Sequence, residues 1–79
     1  MKYVPKSMCS KLKGICKNAA FRGIGVNEQL DHLADTLKQG NRPADIFDAL
    51  VPLEAALTNA GHADKAKVIS DILGAIMAP

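Results

Sequence analysis

Apolar residues recur along this chain at intervals of three and four, and four segments carry the rhythm of amphipathic helices. The first is predicted over residues 6–21, with Pro5 suited to the first helical position at its start. Met8, Leu12, Ile15 and Ala19 are spaced 4, 3, 4, one buried stripe. Cys9 and Cys16 flank that stripe, Lys13 and Lys17 lie roughly opposite, and Lys11 sits at the other shoulder. Gly14 in the middle costs about 1 kcal/mol against Ala and points to a kink or a close helix crossing. Gly23 and Gly25 then interrupt the pattern.

A second helix is predicted over 28–39. Asn27 is its cap candidate, and Leu30, Leu33, Ala34 and Leu37 form its apolar face. Glu28 and Asp31 in the first turn and Lys38 in the last suit the helix dipole. Gly40 stops it. Asn41, as a cap, and Pro43 open a third helix over 43–60. Ile46, Phe47, Leu50, Leu53, Leu57 and Ala60 keep phase through Pro52, so one helix kinked at Pro52 is expected rather than two breaking at Val51. Gly61 ends it, and a fourth helix follows over 63–77. The link is so short that the last two helices should form an αα-hairpin. The fourth helix carries Val68, Ile69, Ile72, Leu73, Ile76 and Met77, a band wider than one neighbour needs. Self-association through that band, giving a homodimer, is the expectation.

No strand-like alternation, repeat or low-complexity tract breaks this picture. The fold class is therefore all-α, a small bundle of about four helices. With 79 residues the chain is one domain, 1–79. No stretch approaches the roughly 20 apolar residues of a membrane span, and no apolar run follows the N-terminal charges. A cytoplasmic setting with reduced thiols and no membrane partner is expected.

Charge changes the picture more than composition does. The net charge is only +2. Residues 1–22 nevertheless hold six basic residues and no acidic one, whereas 23–79 hold four basic residues against all eight acidic ones. Lys6, Lys11, Lys13, Lys17 and Arg22 are the candidate contact residues for a partner.

The chemistry-bearing residues exclude more than they suggest. Cys9 and Cys16 stand seven apart, and His32 and His62 thirty apart, unlike the tight pairs of structural zinc sites. Neither histidine has a predicted partner or pocket, and Arg22-Gly23-Ile24-Gly25 lacks the third glycine of a dinucleotide loop. Neither an enzyme nor a bound metal or cofactor is expected.

The segment Ser10-Lys11-Leu12-Lys13-Gly14 resembles the His-x-Leu-Lys-Gly stretch of histidine phosphotransfer domains, with Gly40-Asn41 and Leu53-Glu54 at later positions of similar character. Ser10 stands where their phosphorylated histidine belongs. The resemblance implies a helical bundle that binds a receiver domain but cannot carry phosphate. The leading expectation is a small protein–protein interaction module. Its kind would be a regulator that sequesters another protein such as a transcription factor, in the manner of an antirepressor or anti-activator. Nucleic-acid binding through the basic N-terminal helix is the alternative, and it suffers from scarce aromatics and a preponderance of Lys over Arg.

Overall fold

The computed structural model describes residues 3–77. It has four helices: α1 (Lys6–Lys17), α2 (Asn27–Gln39), α3 (Pro43–Asn59) and α4 (Ala63–Met77). Backbones approach closely only between consecutive helices, most extensively between α3 and α4. These last two form the expected hairpin. Its turn follows from Gly61, whose φ of 83° lies in the left-handed region. The amide of His62 donates to the Leu57 carbonyl at 2.9 Å and that of Gly61 to Thr58 at 3.1 Å. These two bonds satisfy carbonyls that a helix end otherwise leaves bare.

The predicted stripes supply the core. Leu12, Leu30, Leu33, Ile46, Leu50, Leu53, Leu57 and Ile69 are fully buried, joined by Val4 and Val26 from outside the helices. No polar or charged residue is buried among the described residues. The radius of gyration is 11.5 Å, against about 11.6 Å for a compact chain of this length.

Several expectations need correction. The first helix stops at Lys17, not at residue 21, because Asn18 turns extended, with φ −74° and ψ 125°. Its side-chain oxygen accepts from the Ala20 amide at 2.8 Å, and its carbonyl accepts from Phe21 and Arg22. This local turn competes with the helix. Ala19 is consequently exposed, while Phe21 is buried from the connection. Gly14 lies in open space, so no close crossing occurs there.

Neither asparagine is a cap. Val26 holds the cap position of α2, and the Asn27 side chain turns back to accept from the Gly23 amide at 3.0 Å. Arg42 holds that of α3, and Asn41 reaches instead to Val4. The third helix ends at Asn59, one residue early, and runs through Pro52 unbroken.

The apolar band of α4 is largely consumed within the chain. Ile69, Ile72, Leu73 and Ile76 are at most 8% exposed, and only Val68 and Met77 reach the surface, at 37% and 68%. What the band leaves at the surface is Val68 and Met77, at its outer edge and its end. Ile69, Leu73 and Ala66 recur on one side of α4 and join the core, while Ile72 also lines a trough opposite Met8 of α1.

Candidate functional site

Burial of Leu12, Ile15 and Cys16 against the core fixes the orientation of α1. Lys13 and Lys17 are one turn apart and flank Cys16, so both come out beside α2. On α2, burial of Leu30, Leu33 and Leu37 leaves Ala34 and Lys38, also one turn apart, on the flank towards α1. Ala34 is small and half-buried, which keeps the floor between the helices low.

Arg22 closes the third side from the connection. Its Nε donates to the Cys16 carbonyl at 2.7 Å, capping the end of α1. Its Nη1 meets Asp31 Oδ1 at 2.9 Å. The result is a hollow of about 390 Å³ lined by Lys13, Cys16, Lys17, Arg22, Ala34 and Lys38.

The hollow is electrostatically one-sided. Four cations line it, and the nearby carboxylate of Asp31 already belongs to Arg22. Lys13, Lys17 and Lys38 have no ion-pair partner among the described residues. Lys13 and Lys17 repel each other across one turn. Lysine and arginine heads donate hydrogen bonds and accept none, so the lining suits an anion whose oxygens only accept. Burial pushes the Cys16 thiol above its ordinary value of 9.0, partly offset by the positive charge of Arg22. That thiol stays neutral and is floor, not nucleophile.

Of the five predicted contact residues, the structure brings together Lys13, Lys17 and Arg22. Lys6 and Lys11 are exposed on α1 but lie outside the hollow. Lys11 lines the separate trough towards Asp71 and Ala75 of α4. Arg22 spends part of its guanidinium on the fold itself. Lys38 belongs to the site and was read only as a dipole partner. The sole signal for it was its position one turn beyond Ala34, legible only once α2 is packed on α1.

No family model, no curated protein and no solved structure matches the chain.

The remaining candidate chemistry is dispersed. Among the described residues no group of three or more His, Cys, Asp or Glu side chains is placed to hold a metal. His32 shares a shallow hollow with Asp45 and Asp48. Cys9 is half-buried, with its sulfur 3.8 Å from the Val4 carbonyl. Ser10 sits on the exposed face of α1. Asn41, one of the phosphotransfer-like positions, is engaged with Val4 and lies in the α2–α3 link. No helix among the described residues is long and apolar enough to cross a membrane.

Proposed function

We propose that the chain is a non-enzymatic protein–protein interaction module that docks an acidic segment of another protein into the cationic hollow. One observation carries this reading: Lys13 and Lys17 of α1, Arg22 of the connection and Lys38 of α2 line one concavity, and no acidic residue is among its lining. Convergence favours a short acidic segment over a long polyanion. Helical spacing places Glu28, Asp31 and Asp35 on the exposed flank of α2 beside the hollow. A duplex laid across the hollow would meet that acidic flank, whereas a segment that ends in the hollow would not. Acting by occupying a partner's surface fits regulators of the antirepressor or anti-activator type, and a DNA-binding regulator with an acidic surface segment belongs to the partner class proposed.

Fluorescence anisotropy with a labelled dodecaglutamate peptide tests the reading at low salt. Binding should weaken as salt rises and fall by about tenfold or more in a Lys13→Glu, Lys17→Glu, Lys38→Glu variant, a loss of about 1.4 kcal/mol or greater. Absence of binding at 50 mM salt, or tighter binding of a random duplex under the same conditions, would overturn it.

A further inference from the structure

We propose that the hollow seats a phosphoryl group borne by the acidic segment, so that the module reads a phosphorylated partner; this rests on the reading above. Three features separate a phosphoryl group from a row of carboxylates.

The first is direction. A row of carboxylates calls for cations spread along a line, as Lys6, Lys13 and Lys17 would give along α1 alone. Here Lys38 enters from the facing helix and Arg22 from the connection, so the basic residues line one hollow from three elements and not along a single line. A tetrahedral group with three terminal oxygens can be met from several sides, whereas a planar carboxylate offers two oxygens in one plane.

The second is donor type. Three of the four heads are ammonium groups, compact charges with rotatable donors and no preferred planar fork. The single guanidinium has committed Nε to Cys16 and Nη1 to Asp31, so its Nη2 amino group points to no partner among the described residues. Two of the guanidinium's nitrogens are thus already engaged within the chain, which leaves Arg22 fewer donors for a carboxylate.

The third is charge. With Asp31 counted against Arg22, the lining still carries three uncompensated cations. A phosphomonoester brings a charge of about −1.5 to −2 near neutral pH, while a glutamate brings −1. The floor, formed by Cys16 and Ala34, is uncharged and competes for none of the donors.

Titration of the ¹⁵N-labelled full chain by NMR tests this with four probes. One is a blocked pentapeptide of four glutamates around a central phosphoserine. Two others carry Ser or Glu at the centre, and the fourth is inorganic phosphate alone. The phosphopeptide should shift the amides of Lys13–Lys17, Arg22 and Lys38 and bind about tenfold more tightly than the other peptides. Lys17→Ala and Lys38→Ala, each checked for an unchanged circular-dichroism melt, should reduce that preference to about twofold or less.

Equal affinity for the Glu and phosphoserine peptides would overturn the phosphoryl seat and leave the acidic-segment reading standing. Shifts confined to other surfaces would also overturn it. Inorganic phosphate binding as tightly as the phosphopeptide would assign the hollow to the free ion instead. No response to any peptide would remove both readings.

Discussion

Val4 and Asn41 are 37 residues apart and hold each other twice: the Val4 amide donates to the Asn41 carbonyl at 2.9 Å, and Asn41 Nδ2 donates back to the Val4 carbonyl at 3.1 Å. The pair ties the segment ahead of α1 to the α2–α3 link and sets the fully buried Val4 side chain into the core. Asn41→Ala removes one of the two bonds and should cost about 1 kcal/mol. For a domain of this size that lowers the melting temperature by about 4–8 °C. Val4→Ala keeps both backbone groups but deletes two buried carbons, a loss of about 1.5 kcal/mol or more. An Asn41→Ala melt indistinguishable from wild type would show that the side-chain half of the clasp contributes nothing.

Arg22 and Asp31 form an ion pair at 2.9 Å, but the two partners are not equivalent. Arg22 also covers the Cys16 carbonyl at the end of α1, and that bond survives loss of Asp31. Asp31 is well exposed, so Asp31→Ala should cost no more than about 0.5 kcal/mol, an effect that fades at high salt. Arg22→Ala gives up a charge-assisted cap as well and should cost about 1–2 kcal/mol. Thermal melts in low and high salt check both. Equal costs for the two substitutions would mean that the cap is not formed in solution.

The helices were legible because Leu30, Leu33 and Leu37, or Ile46, Leu50, Leu53 and Leu57, repeat long enough to fix a period. Gly61 also reads as a stop from its type alone, since few other residues tolerate its backbone angle. The first helix was read too long because Ala19 remains in apolar phase after Asn18 has turned the backbone. Asn27 and Asn41 have the right chemistry for caps, yet each finds its partner in a preceding segment, which sequence-local reasoning does not weigh. The site was half legible. The basic run in α1 is plain in the sequence, but the convergence depends on Lys38 and on the small size of Ala34, which acquire meaning only through helix packing.

Val68 and Ile69 are adjacent on α4, and their fates differ: Ile69 is fully buried and Val68 is 37% exposed. Ile69→Ala should therefore cost about 2–5 kcal/mol, the range for large-to-small changes in a core. Val68→Asp should cost about 0.5 kcal/mol or less. Urea unfolding measures both, and a collapse of the Val68→Asp variant would restore a role for the α4 band in binding a second surface.

Cys16 gives the chain an alkaline liability. Burial raises its thiol above the ordinary value of 9.0, with the Arg22 charge pulling the other way. The folded protein therefore keeps a proton that the unfolded chain would release. The corresponding stability is fully present below about pH 9 and is lost as pH rises towards and through the raised folded value. The difference in melting temperature between wild type and Cys16→Ala, followed from pH 7 to 10.5, isolates the thiol. It should shrink or reverse above pH 9, and a constant difference would contradict the shift.

Glycine-to-alanine changes should alter stability in opposite directions at different places in this fold. Gly14 and Gly74 lie inside α1 and α4, have ordinary helical backbone angles, and would place an added methyl in open space. Each retains the extra unfolded-state freedom of glycine and gains nothing from it in the folded state, so Gly14→Ala and Gly74→Ala should each stabilise by about 0.5–1 kcal/mol. Gly61 also has room around it, but its φ of 83° is one a side chain rarely adopts. Gly61→Ala should therefore destabilise by about 1–2 kcal/mol despite the absence of a clash. Urea midpoints at constant slope read all three. A loss of stability in Gly14→Ala would mean that the open surface of α1 meets something in solution that a single chain does not supply, since within the chain nothing lies close enough to object.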